Sequence, residues 1–126
     1  MPAMSSAEDI TQTINRYIEL LAKGTADDVA ALYSDDATVE DPVGTEVRRG
    51  RDAIRRLYAD IEDYDRDSEL VWLQVAGREA AFLCRLTVTD GNSRRRIEGI
   101  DVMSFDEDAN VTSLKAYWGP ESTTQL

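Results

Sequence analysis

The spacing of apolar residues changes once along the chain, from a helical period in the first half to a strand period in the second, and the architecture follows from that change. Ile10, Ile14, Tyr17, Ile18 and Leu21 share one helical face that runs to Gly24. Two overlapping Ser-x-x-acid pairs, Ser5 with Glu8 and Ser6 with Asp9, can cap its first turn. Thr25-x-x-Asp28 predicts a shorter second helix with Val29, Leu32 and Tyr33 on its stripe, ended by a turn at Asp35-Asp36. A brief strand over Ala37 to Asp41 follows. Ile54, Leu57, Tyr58 and Ile61 then predict a third helix that stops in the acidic run from Glu62 to Asp67.

From Ser68 the period is two. Strands are expected over Ser68 to Ala76, Glu79 to Thr89, Ser93 to Phe105 and Val111 to Trp118, with turns at Gly77-Arg78, Asp90-Gly91-Asn92 and Asp106 to Asn110. Residues 120–126 are polar and are expected to form a flexible tail. Three helices before a long, mostly antiparallel meander make an α+β pattern, and a curved sheet closed on one face by the helices would enclose a conical cavity. At 126 residues the chain fits a single domain over 1–126.

Composition narrows the function. Fourteen basic and 25 acidic residues give a net charge of −11, which argues against nucleic acid or anionic lipid as a partner. No apolar run approaches the roughly 20 residues needed to span a bilayer, so no membrane insertion is expected. Residues Met1 to Ser6 lack a basic region and apolar core, and Cys84 has no partner cysteine, which points to the cytoplasm. Histidine is absent altogether. That removes imidazole metal ligands and every Ser-His or Cys-His nucleophile, and leaves proton transfer to carboxylates and tyrosines. Carboxylates are plentiful enough to leave a metal site open, but with no His and one Cys no metal-ligand spacing stands out.

Within Val39-Glu40-Asp41-Pro42-Val43-Gly44, the proline holds Asp41 in extended backbone at a strand end, where it can serve as a catalytic base or open a surface turn. Glu40 falls on the other face. On the strand Ser93 to Phe105, alternation groups Ile97, Gly99, Asp101, Met103 and Phe105. If that face is inward, Asp101 is a carboxyl in an apolar row with no flanking cation, and burial favours its protonated form; if Ile100 and Val102 face inward instead, Asp101 lies in solvent. Tyr17, Tyr33 and Tyr58 sit on apolar stripes, where each hydroxyl needs a partner and the three could form one hydrogen-bonded chain. Cys84 reads as a small apolar filler, and Arg94-Arg95-Arg96 and Arg48-Arg49-x-Arg51 as solvated basic arms.

Four segments carry a resemblance that covers nearly the whole chain. Arg16-Tyr17-Ile18-Glu19-Leu20, the run from Tyr33 to Gly44, the run from Gly99 to Glu107 and Lys115-Ala116-Tyr117-Trp118 together resemble the ketosteroid isomerases (steroid Δ5-3-isomerases) of the NTF2-like fold. The resemblance implies a cone-shaped α+β barrel, a homodimer formed through its sheet, and a cofactor-free shift of a β,γ double bond into conjugation with a 3-keto group. By position, Asp41 would carry the proton from C4 to C6, Tyr17 and a protonated Asp101 would donate to the dienolate oxygen, and Tyr33 and Tyr58 would buttress Tyr17. Trp118, Phe82, Val39, Met103, Leu57 and Leu114 would wall a flat apolar steroid. Departures from the family's pattern lie in Thr45 to Arg51 and Ser68 to Arg78, near the cavity mouth. The same cavity could instead serve a polyketide cyclase or epoxide hydrolase acting on another ring compound, or a non-catalytic steroid- or lipid-binding protein.

Overall fold

A computed structural model describes residues 6–126. The cap built on Ser5 lies outside the described residues, while Ser6 and Asp9 form the reciprocal pair: the Ser6 hydroxyl accepts from the Asp9 amide and the Asp9 carboxylate from the Ser6 amide, both at 3.1 Å. Helix α1 (Ala7–Lys23) starts there and buries Ile10, Ile14, Tyr17, Ile18, Leu20 and Leu21. Thr25 and Asp28 cap α2 (Ala26–Ala30) in the same way, but this helix is shorter than its apolar spacing predicts. Tyr33 is not on it. The chain turns extended at Tyr33 to begin β1 (Tyr33–Glu40), because the Leu32 carbonyl accepts the Val111 amide at 2.9 Å and Tyr33 pairs with Val111 in a distant strand.

A two-residue strand β2 (Arg48–Arg49) pairs back on β1, and Gly50, at φ 87° in the left-handed region open to glycine, leads into α3 (Arg51–Ala59). This helix ends before Ile61, which lies in the turn beyond it, its amide bonded to the Tyr58 carbonyl. Then come β3 (Asp65–Ala76), β4 (Glu79–Asp90), β5 (Ser93–Phe105), β6 (Val111–Tyr117), a 3-10 turn (Pro120–Ser122) and β7 (Thr123–Gln125). Strand β3 starts inside the acidic run, since Asp65, Arg66 and Asp67 find ladder partners in Thr89, Val88 and Thr87. The tail is likewise not free: β7 pairs with Arg95 to Ile97 on the edge of β5 that β6 leaves open.

These elements form an α+β fold in which three helices pack on an open, curved, mostly antiparallel sheet of order β2-β1-β6-β5-β4-β3, where only β1 and β6 run parallel. Helix α1 crosses β3 and β4. No helix among the described residues is long and apolar enough to cross a membrane.

The registers sort the inner face of the sheet into cross-strand rows. Val39, Leu114, Met103 and Ala80 make one row, all buried. Ala116, Asp101 and Phe82 make the next, one pleat along, followed by Gly99 with Cys84, Ile97 with Leu86, and Arg95 with Val88. The first row is sealed core, and the later rows open onto a cavity.

Candidate active site

Asp41 follows directly on β1, just before a cis peptide to Pro42. The loop after it is held by the Val43 amide, which donates to the Ala116 carbonyl at 2.8 Å, and by Glu40, whose carboxylate accepts the Gly44 amide at 2.9 Å. Glu40 therefore closes the loop, and Asp41 is left facing the cavity. Glu40 pairs with Lys115, and Ala116 pairs with Asp101, so the two aspartates lie two strand spacings apart, about 10 Å. The register resolves the ambiguity of β5: Asp101 is on the inward face and 7% exposed, while Ile100 is outward.

Three tyrosines from three elements meet behind the acids. The Tyr58 hydroxyl, from α3, stands 2.7 Å from that of Tyr33 on β1 and 3.2 Å from that of Tyr17 on α1. Tyr58 is thus the centre of the chain, and Tyr17 is its end. The Tyr17 ring packs edge-on to Tyr58 and to Phe82, with centroids 6.2 Å away in each case. Burial, reinforced by Tyr58, Tyr33 and the two aspartates, raises the Tyr17 pKa well above its usual value and keeps the hydroxyl protonated as a donor.

Both carboxyls are pushed up by burial, but their surroundings differ. For Asp101 no described residue opposes the burial, and the nearby Asp41 charge adds to it, which holds Asp101 well above the usual carboxyl range. For Asp41 the same upward push is countered by the Trp118 indole, whose Nε1–H donates to Oδ1 at 2.6 Å, and by the Arg48 cation. The site therefore holds one acid biased toward protonation and another with two neighbours that favour its anion.

Tyr17, Asp41, Tyr58 and Asp101 line one end of a cavity of about 200 Å³. The rest of the lining is mainly apolar, with Leu21, Leu57, Ile61, Leu86, Ile97 and Trp118 prominent. Of the six residues expected to wall it, Trp118 and Leu57 do so. Val39, Met103 and Leu114 belong to the sealed row one pleat away from the acids, and Phe82, in the acid row, is covered by the Tyr17 ring; none of the four lines the cavity. Cys84 is more than a buried filler, since it lines the cavity, and burial pushes its thiol up to about 12. Ile97 and Gly99 were already on the Asp101 face by alternation, the signal from which their place could have been read. No cluster of metal-ligating side chains occurs among the described residues.

The fold and this site define a class. Residues 14–114 match the SnoaL-like domain family. A solved structure with the same fold, that of the epoxide hydrolase/cyclase-like enzyme SalBIII described in pyran ring formation in the polyether salinomycin, superposes with a TM-score of 0.87 over 98% of this chain and 100% of its own at 24% identity, a likeness of fold alone. A steroid Δ-isomerase from Nocardioides simplex is 38% identical over 112 residues, 89% of this chain and 91% of the relative. The chain belongs to the ketosteroid isomerase family within the SnoaL-like, NTF2-like class.

Proposed function

We propose that the protein converts Δ5-3-ketosteroids to Δ4-3-ketosteroids by intramolecular proton transfer. The observation that carries this reading is the meeting, at one end of an apolar cavity, of a carboxylate with anion-favouring neighbours and two groups held protonated, Asp101 and Tyr17. Asp41 removes the C4 proton, and the electron pair of that C–H bond moves into a dienolate whose charge rests on the C3 oxygen. Tyr17 and protonated Asp101 donate to that oxygen, and the tyrosine chain behind Tyr17 polarises its hydroxyl. Asp41 then returns the proton to C6. The double bond becomes conjugated, the enzyme is regenerated, and the reaction itself balances without an oxidant, metal or cofactor.

A simple binder of apolar rings would gain nothing from a partly buried carboxylate beside its ligand, since that charge costs desolvation. The test is the ultraviolet rise of the conjugated enone when the protein meets 5-androstene-3,17-dione. A rise proportional to protein concentration is expected; none at micromolar protein would overturn the reading.

The reading includes a homodimer. On the outer face, Trp72, Leu83, Ile100 and Tyr117 form one row across β3 to β6, and Trp72, Ile100 and Tyr117 are 43%, 42% and 48% exposed. Such a row is a surface for a second copy. Sedimentation should give a dimer that Ile100→Asp converts to monomer, and a monomeric parent protein would remove this part.

A further inference from the structure

Arg95 is the one cation among the residues that line the cavity. Alternation along β5 puts it on the same inward face as Ile97, Gly99 and Asp101, whereas Arg94 and Arg96 fall on the opposite face. It is at the other end from the chemistry. Six residues of continuous ladder separate Arg95 from Asp101, about 20 Å of strand, and between them the lining is Ile97, Leu86, Cys84 and Gly99. The backbone there is pinned on both edges, by Val88 of β4 and Gln125 of β7. Yet the guanidinium has no ion pair or hydrogen bond among the described residues, in a chain where acids outnumber bases by 25 to 14.

The cavity is therefore polar at both ends and apolar between them: hydrogen-bond donors and a base at one end, an unpaired planar cation at the other. We propose that its ligand is a rigid apolar ring system bearing a ketone at the acid end and a carboxylate at the Arg95 end, a 3-oxo steroid acid rather than a neutral steroid. The strand between the two ends is longer than a four-ring nucleus, which leaves room for a side chain that carries the carboxylate toward the Arg95 guanidinium. Arg95 is the residue that sets this preference, because a guanidinium meets a carboxylate with two parallel N–H donors. The net charge of −11 disfavours non-specific binding of such an acid to the protein. The placement of the ketone rests on the isomerase reading; the anion at Arg95 does not.

The test is calorimetric binding of 3-oxochol-4-en-24-oic acid and of its methyl ester, which has the same rings and side chain without the charge. The protein should bind the acid about tenfold more tightly at low salt, the effect of one charge-assisted contact at a partly solvated site. Arg95→Gln should abolish the preference, Arg95→Lys should keep part of it, and Arg94→Gln, on the outer face, should keep it whole. Equal binding of acid and ester, no binding of the acid, or a preference that survives Arg95→Gln would each overturn the proposal. Turnover of 5-androstene-3,17-dione is measured beside it. Acid preference without turnover leaves the Arg95 site standing and removes the isomerase, while turnover without acid preference does the reverse.

Discussion

Asp41 and Asp101 face the same cavity from neighbouring parts of one sheet, and burial raises the pKa of both, yet the structure equips them for opposite protonation states. The difference lies in where each sits on its strand. Asp101 is in the middle of β5, between Phe82 and Ala116 on the flanking strands, so its neighbours are fixed by the ladder and both are apolar. Asp41 is past the end of β1, where the ladder no longer dictates its surroundings and a side chain from beyond β6 and an arginine from the short strand β2 can reach it. A mid-strand position imposes isolation on a carboxyl. A strand end lets it keep company that stabilises charge.

The strongest way to break this comparison is to remove the charge from the strand-end acid alone. Asp41→Asn should lower kcat for 5-androstene-3,17-dione by roughly 10²–10⁴-fold, the span of a positioned general base, while circular dichroism stays that of the parent. A loss within a few-fold would mean that Asp41 is not the base. The mid-strand acid should respond to shape and donor capacity instead. Asp101→Leu should cost about 10²–10³-fold, and Asp101→Asn clearly less, because the amide still donates to the dienolate oxygen. Equal losses in initial-rate assays would show that donation from this position does not matter.

How far these places were legible in the sequence follows from the range of the forces that set them. Helix α1 and strand β5 are coded locally, by the Ser6–Asp9 cap and by strict alternation bounded by turns, and their expected bounds agree with the structure closely. Local spacing puts Tyr33 on a helix, because Val29, Leu32 and Tyr33 satisfy a helical period, whereas the pairing that draws Tyr33 into β1 comes from Val111, far along the chain. The docking of β7 has the same origin: a polar tail carries no apolar signal, but β5 offers it an open edge. For the cavity, alternation shows which residues face inward and not how far along the face the helices cover them. Met103 and Asp101 are two residues apart on one face, and only one of them reaches the cavity.

A finer test removes what makes Asp41 different without touching its carboxylate. In Trp118→Phe the indole donor to Oδ1 is lost, burial is largely retained, and Arg48 remains, so the Asp41 pKa should rise further above its usual value. Asp41 acts as the anion, so activity grows as pH rises through this pKa, and a higher pKa moves the acid limb of the kcat/KM profile to higher pH. Arg48→Gln should move the limb the same way but less, since its charge acts through solvent-screened space rather than through a 2.6 Å hydrogen bond. If Trp118 served only as a wall, Trp118→Phe would lower the rate by the same factor at every pH and leave the limb where it was. A stationary limb would therefore place the discrimination between the two acids in burial alone, and a shifted one would place it in the company that a strand end allows.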